Sequence, residues 1–297
     1  MAKERSAFRN RAEELACRGA LALLHRFPPE RVEALGARAG LLFQRLSASR
    51  RRLAGTNLAR AFPELTEADR QRLARDVFAH FGAIAADLLV TIGEEPQELL
   101  SRIEIAGAEQ ARAAVAEGRG VFFLTAHLGN WEVAAMATAS LGIPITVIAR
   151  PLDNPLLERH LRAFRERTGN TVLPKADAAR EMLRVIRRGG AIGILIDQHA
   201  RPPDAVPAPF FGRPAATSSF LARLVDRTEA LVVPTVALRT GARRYRVEYS
   251  APLDPRRLGR EERTTEALTA RLNAVTEEMV RRAPDQWLWL HNRWRLD

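Results

Sequence analysis

Short apolar runs alternate with helical segments from about residue 103 onward, and this alternation constrains the fold more than any other feature. The strand candidates are residues 121–126, 145–149, 171–173, 191–197, 231–238 and 244–249. The helix candidates are residues 108–117, 130–141, 154–168, 175–188, 218–228 and 262–282. This pattern predicts an α/β fold with a mixed, mostly parallel central sheet flanked by helices. Only a turn at residues 240–242 separates the last two strands, so we expect them to pair antiparallel at one edge.

The first hundred residues have an almost wholly helical pattern. Residues 5–26 and 30–48 are amphipathic and rich in Arg, and residues 69–92 predict a long helix after them. A basic helix with an apolar stripe either packs on its domain or lies in a membrane interface. We expect a helical region over residues 1–100, with 5–48 as its membrane-associating part, continuous with an α/β core over residues 101–297. No window approaches the roughly 18 apolar residues of a membrane-spanning helix.

The net charge of +11, from 46 Lys and Arg against 35 Asp and Glu, favours an anionic partner. Such a partner is a membrane leaflet, an acidic carrier protein, a phosphorylated substrate or a nucleic acid. The basic residues are spread along the chain, aromatic residues make up only 6%, and no zinc-finger spacing is present, so we expect no nucleic acid. A single cysteine excludes an intramolecular disulfide bond.

The stretch over residues 121–135 carries the clearest chemistry. Its apolar run ends in a short turn with His127, and an Ala-rich helical segment follows. Ligands of open α/β sheets bind at this carboxyl edge of the strands, and a His there takes and returns a proton near neutral pH. Glu132 lies five positions later and is predicted to fold back onto the imidazole. Asn130 is a good N-cap, and the amides at that helix start are suited to hold an oxyanion.

Two other predicted strands also end in polar residues. Arg150 follows the strand at 145–149 as a fixed cation, and Asp197 and Gln198 end the strand at 191–197. Three polar strand ends at one edge form a candidate site. A metal site built from His127, Asp197 and His199 lacks a compact ligand motif, so we expect no metal. The chain has no Gly-rich phosphate loop and no GxSxG nucleophile motif.

Two further segments stand out. Residues 201–216 are rich in Pro and form the longest irregular stretch, which is typical of a lid or of one side of a binding site. Residues 284–294 contain three of the four Trp residues. These Trp side chains either pack on the sheet or form an interfacial aromatic belt.

Six segments together resemble the bacterial late acyltransferases of lipid A biosynthesis, the lauroyl and myristoyl transferases within the wider glycerolipid acyltransferase group. In chain order they are NLARAFPELTEADR, AHLGNWE, ARPLDNPLLE, ILIDQHA, PAPFFGRPAATS and PDQWLWLHNRW. The resemblance covers roughly residues 50–297. It implies that His127 is the catalytic base and Glu132 its partner, in an H-x4-D/E motif. Arg150, Asp197 and Gln198 then match the other active-site blocks.

The resemblance also implies a reaction and its partners. A fatty acyl group passes from a thioester, usually on acyl carrier protein, to a hydroxyl of a lipid A precursor or related glycolipid, without cofactor or metal. The expected location is the cytoplasmic face of the cell inner membrane, attached peripherally or monotopically to its anionic surface. The acyl chain needs an apolar groove, and Phe210 and Phe211 are expected to form one side of it.

Three alternatives remain open at this point. One is a hydrolase of acyl thioesters or lipids that uses the same site. Another is an acyltransferase for a different glycolipid acceptor, with acyl-coenzyme A as the donor. The last is a non-catalytic protein that binds the membrane or the carrier.

Overall fold

The computed structural model describes residues 6–24, 26–174 and 178–295. Its helices are α1 (Ala7–Leu24), α2 (Pro29–Leu46), α3 (Ala48–Ala61), α4 (Glu67–Thr91), α5 (Pro96–Leu100), α6 (Ala108–Ala116), α7 (Trp131–Ser140), α8 (Pro155–Glu166), α9 (Ala178–Arg187), α10 (Phe220–Thr228) and α11 (Thr265–Arg282). Its strands are β1 (Ile103–Ala106), β2 (Val121–Thr125), β3 (Ile145–Ala149), β4 (Thr171–Pro174), β5 (Ala191–Leu195), β6 (Ala205–Phe210), β7 (Arg213–Ser218), β8 (Leu231–Gly241) and β9 (Arg244–Tyr249). Residues 175–177 of the predicted helix at 175–188, and residues 5 and 25 of the predicted first helix, lie outside the described residues.

Seven strands form the main sheet in the order β1-β9-β8-β2-β5-β3-β4. Every neighbouring pair is parallel except β8 and β9, which are antiparallel. The predicted fold class, a mostly parallel α/β sheet with helices around it and an N-terminal helical part, is confirmed. The predicted antiparallel pairing is also confirmed, but its place at the edge is wrong, because β1 pairs with β9 on the outside.

Strand β2 lies in the middle of the sheet because its side chains are apolar on both faces. All five of its residues are buried. Val121 and Phe123 belong to one hydrophobic cluster, whereas Phe122 and Leu124 belong to a second one on the opposite face. A strand that buries both faces has to carry a continuous apolar run, which is the pattern seen in the sequence. The carboxyl end of β2 therefore brings the following polar turn to the edge of the sheet.

The Pro-rich segment at residues 201–216 is not irregular as predicted. Most of it forms an antiparallel hairpin of β6 and β7, a separate two-stranded sheet. Phe211 and Gly212 connect the two strands, and both have positive φ angles of 51° and 66°. Phe210 and Phe211 are buried in the core and are not among the residues that line the 950 Å³ cavity of the structure, so the prediction that they line an acyl groove is wrong.

The N-terminal helices differ in how deeply they pack. Helices α3 and α4 contribute to the same cluster as the sheet, through Leu58 and Phe78 among others. Helix α1 has no buried residue.

The three Trp residues of the C-terminal segment are at most 7% exposed and pack in the core, which excludes the interfacial belt. The division into residues 1–100 and 101–297 stays a prediction.

Candidate active site

A cavity of about 950 Å³ opens at the carboxyl edge of the sheet. Its lining includes His127, Glu132, Arg150 and Gln198, which the sequence placed at this edge. Strands β2, β3 and β5 are adjacent and parallel, so their ends meet there. The predicted convergence of three polar strand ends on one edge is what the structure has.

His127 is held in one orientation by Asp197, which follows β5. Its Nδ1–H donates to Asp197 Oδ1 at 2.9 Å, and its backbone N–H donates to Asp197 Oδ2 at 2.8 Å. The ring also packs edge-on against Trp131, with the centroids 4.9 Å apart. With its proton on Nδ1, the imidazole has an unprotonated Nε2 that can accept a proton.

Asp197 is buried, and both its carboxylate oxygens accept hydrogen bonds. It is 2% exposed, and its Oδ2 also accepts a 2.8 Å hydrogen bond from Nε1 of Trp287. Burial raises the pKa of Asp197, but His127 and these hydrogen bonds together hold that pKa below its usual value. Asp197 is therefore an anion that orients the imidazole.

The same pairing controls the basicity of His127. Burial lowers the pKa of His127, whereas the charge and the hydrogen bond of Asp197, and then the charge of Glu132, raise it. The net shift of the His127 pKa is upward. A more basic imidazole is a stronger acceptor for a hydroxyl proton.

Glu132 does not make the contact that the sequence predicted. It lies in the first turn of α7, where it is 8% exposed, and both its oxygens accept hydrogen bonds from Arg165 of α8, at 2.9 and 2.6 Å. Because Asp197 occupies Nδ1, the prediction that Glu132 folds onto the imidazole is wrong. Glu132 acts on His127 through its charge and fixes Arg165 beside the cavity.

Asn130 has the predicted position as the N-cap of α7. Its Oδ1 accepts a 3.4 Å hydrogen bond from the Val133 amide, and its Nδ2 donates to the Tyr245 hydroxyl at 3.2 Å. Gly129 before it has a φ of +59°, and a Cβ there would lie 2.0 Å from the Ala237 carbonyl oxygen. Only glycine fits this turn, which directs the start of α7 toward the cavity.

Arg150 and Gln198 line the rim. The Arg150 side chain is 83% exposed and lies 3.5 Å from Asp153, so it is a solvent-exposed rim cation in a weak surface ion pair rather than the fixed cation predicted. Gln198 Nε2 lies 3.3 Å from His127 Nε2 and donates to it. His199 is also at the rim, where its backbone N–H donates to His291 Nε2 at 2.9 Å.

The family model for bacterial lipid A biosynthesis acyltransferases matches residues 6–296. The chain belongs to this family. It is 27% identical to the lipid A biosynthesis lauroyltransferase of Escherichia coli (strain K12), over 93% of this chain and 89% of that protein. It is 26% identical to the lipid A biosynthesis myristoyltransferase of the same strain, over 89% of this chain and 80% of that protein.

One solved structure, the 1-acyl-sn-glycerophosphate acyltransferase from Thermotoga maritima, aligns with 87% of this chain and 99% of that chain, at a TM-score of 0.42 and 14% identity. Family membership confirms the resemblance drawn from the six motifs and identifies the chain as an O-acyltransferase. The roles of the individual residues stay predictions.

Three side chains of this lipid A acyltransferase family member were missed in the sequence. Arg165 and Trp287 contact predicted site residues, and Thr125 lines the cavity. Trp287 lies in a segment that was noted for its aromatic content and for the family resemblance, without a role for its side chain. Arg165 is one of three Arg residues on α8, and nothing in its spacing distinguishes it.

Among residues 6–24, 26–174 and 178–295, no group of three or more His, Cys, Asp or Glu side chains is placed to hold a metal ion. None of the helices over these same residues is both long and apolar enough to cross a bilayer. The predicted absence of a metal stays a prediction.

Proposed function

We propose that this protein moves a fatty acyl group from an acyl thioester to a hydroxyl of a lipid A precursor or related glycolipid, with His127 as the general base. The observation that carries the proposal is the His127–Asp197 pair at the large cavity of the sheet edge, in which Nε2 of His127 carries no proton and is an acceptor. Family membership gives the reaction class, and the relatives named above are lipid A enzymes.

The proposed mechanism needs no covalent acyl-enzyme. The acceptor hydroxyl gives its proton to Nε2 of His127 as its oxygen attacks the thioester carbonyl. Asp197 stabilises the imidazolium that forms. The tetrahedral intermediate then expels the thiolate, and the proton on Nε2 passes to the sulfur. The ester and the free thiol are the two products, so atoms and charges balance.

The start of α7 supplies the oxyanion site in this proposal. The first-turn amides of a helix have no acceptor within the helix, and the helix dipole adds a positive field. Asn130 keeps that turn in place from the buried side. Gln198, beside Nε2, is suited to hold the acceptor hydroxyl before reaction.

The basic balance of the chain supports an acidic donor. Arg150 and Arg201 line the cavity, and both side chains are exposed. Acyl carrier protein is the proposed donor because its acidic surface is attracted to such a rim. Acyl-coenzyme A presents the same thioester and remains the alternative. A phosphorylated glycolipid acceptor is attracted by the same charges.

The proposed location is the cytoplasmic face of the inner membrane. Helices α1 and α2 expose large apolar side chains among their Arg residues, including Phe8, Leu15, Leu42 and Leu46. The combination of apolar and basic side chains suits an anionic bilayer surface. Asn154, which begins α8 just after the Arg150 loop, donates to the Asn10 carbonyl of α1 at 3.0 Å. This hydrogen bond connects α1 to the loop at the cavity rim.

The test is transfer by purified His127→Ala protein with acyl carrier thioester and lipid A precursor. We expect at least a 10³-fold loss of product with an unchanged circular dichroism spectrum. His160→Ala is the matched control, because this half-exposed histidine of α8 pairs with Glu14, on α1. Undiminished transfer by His127→Ala would exclude the proposed base.

Product analysis separates the alternatives. Free fatty acid formed equally with and without acceptor would identify a hydrolase. Binding of the thioester without turnover would identify a non-catalytic carrier-binding protein. Transfer that prefers acyl-coenzyme A over acyl carrier protein would replace the donor and leave the base unchanged.

A further inference from the structure

The residues that line the cavity come from both faces of the sheet, and we name these two sides of the cavity its arms. One arm lies on the side of α9 and α10 and is lined by Ile148, Met182, Ile194, Ile196, Phe220 and Leu221, which pack with one core cluster. The other arm lies on the side of α7 and is lined by Phe123, Thr125, Ala135, Thr138, Ile145 and Val147. Phe123, Ala135, Ile145 and Val147 pack with the opposite cluster. Thr125 shares the face of Phe123, since alternate residues of a strand point the same way.

The two arms differ in the polarity of their buried side chains. The six side chains that define the α9–α10 arm are all apolar, with Ser218, Asp204 and Arg201 also lining the cavity. The α7 arm combines apolar side chains with the Thr125 hydroxyl and the Glu132–Arg165 pair. The first arm suits a saturated hydrocarbon chain. The second suits a chain that also carries oxygen atoms.

The Thr125 hydroxyl is the decisive detail. Thr125 is 7% exposed, and its Oγ1 is buried without a hydrogen-bond partner. Thr138, in the same arm, has a satisfied hydroxyl, 2.7 Å from the Ala134 carbonyl oxygen and 2.9 Å from the Tyr249 hydroxyl. An unpaired buried hydroxyl is unfavourable in the free protein and is relieved by a polar atom of a ligand.

We infer that Thr125 binds an oxygen atom of the acceptor near the reacting hydroxyl, in the α7 arm, while the acyl chain of the donor occupies the α9–α10 arm. This inference rests on the proposed function, because it divides the two substrates of that reaction between the two arms. Thr125 is the last residue of β2 and precedes His127 by two residues. An oxygen bound there lies close to the base that takes the hydroxyl proton.

The test compares Thr125→Val with Thr125→Ser in the full-length enzyme. Valine keeps the shape and removes the hydroxyl, so kcat/KM for the acceptor should fall about tenfold, as for one lost hydrogen bond. The KM for the acyl donor should stay within about twofold, and serine should restore most of the activity. The melting temperature of Thr125→Val should be unchanged or higher, because no bond within the protein is lost.

Thr138→Val is the matched control, since its hydroxyl is bonded within the protein. It should lower the melting temperature. An unchanged kcat/KM for the acceptor in Thr125→Val overturns the inference. A fall in its melting temperature together with its activity, or a loss of kcat/KM for the donor alone, also overturns it. Failure of the proposed function is seen separately, as undiminished transfer by His127→Ala.

Discussion

Replacing Asp197 by Asn is the sharpest test of the site geometry. Asp197 accepts from the backbone N–H of His127, from Nδ1 of His127 and from the Trp287 indole, at 2.8, 2.9 and 2.8 Å. An amide of the same shape has only one oxygen, so at least one of these donors then faces an NH₂ group. The imidazole is free to move its proton to Nε2, where it can no longer accept one from the hydroxyl.

The magnitude follows from these contacts. Hydrogen bonds to a charged group contribute roughly 1.5–3 kcal/mol each, so Asp197→Asn should lower the free energy of unfolding by about 2–4 kcal/mol. A wrong tautomer of the base, with the same Asp-to-Asn change in a serine protease triad, lowers kcat by about 10⁴. We expect a loss of similar order in transfer.

The pH dependence gives an independent signature. Burial lowers the His127 pKa, Asp197 and Glu132 raise it, and the net result is a raised pKa. A general base acts only when neutral, so transfer by the native enzyme rises with pH through that raised value. Asp197→Asn removes the larger raising contribution, so the acid limb of kcat/KM should move to lower pH even though activity is lower throughout.

The assay is steady-state transfer from labelled acyl carrier thioester over a range of pH, with Glu132→Gln as the comparison. Glu132→Gln breaks the pair with Arg165, so its melting temperature should fall, while its acid limb should move less than that of Asp197→Asn. The reasoning is refuted if Asp197→Asn keeps more than about a tenth of native kcat. A larger pH shift in Glu132→Gln than in Asp197→Asn would also refute it.

Three further predictions concern the cavity and the core. Ala179→Phe adds bulk beside the α9–α10 arm and should shorten the preferred acyl chain. Ala116→Phe, at an exposed position of α6, should leave the chain length unchanged. Mass spectrometry of the products measures both. Burial, and then Arg239, lowers the pKa of His80 to about 3. As the pH falls, His80 is protonated in the unfolded state before it is protonated in the folded state. The free energy of unfolding therefore decreases between pH 6.5 and pH 3, by up to ~1.4 kcal/mol per pH unit. His80→Leu should flatten that dependence in urea titrations. Arg293 is fully buried and donates to the Ala216 carbonyl oxygen and to Thr217 and Asn273, so Arg293→Ala should cost about 3–5 kcal/mol of unfolding free energy by the same method.

The sequence predicts the sheet well where the apolar pattern is strong. Strand β2 buries both faces, and its continuous apolar run indicates a central strand without further information. Strand β1 has only four residues, none of them fully buried, and pairs at the outer edge. So short and half-exposed a strand leaves little pattern to detect.

The hairpin of β6 and β7 shows where Pro misleads. Pro207, Pro209 and Pro214 argue against a strand inside a sheet, because Pro cannot donate to its neighbours. In a two-stranded ribbon each strand is an edge, so these prolines face no ladder partner that needs their N–H groups. The exclusion of Pro concerns strands that have a neighbour on both sides. The sequence does not show that β6 and β7 each have only one neighbour, whereas the topology does.

The partner of His127 depended on tertiary structure in the same way. Glu132 is close in sequence, whereas Asp197 is 70 positions away, just after β5. Parallel pairing of β2 with β5 brings Asp197 beside the imidazole, while the start of α7 turns Glu132 toward Arg165. The sequence predicted which side chains share the sheet edge but not which of them form pairs.

The C-terminal segment gives the site an order of assembly. The Leu288 amide donates to the His127 carbonyl at 3.0 Å, the Gly129 amide donates to the Gln286 carbonyl at 3.0 Å, and Trp287 bonds Asp197. The base and its turn are therefore completed by residues made some 160 positions later than His127. A chain still emerging from the ribosome has its strands and helices before it has an oriented base. On the proposed mechanism, a nascent chain should therefore transfer no acyl group until the segment around Trp287 has docked.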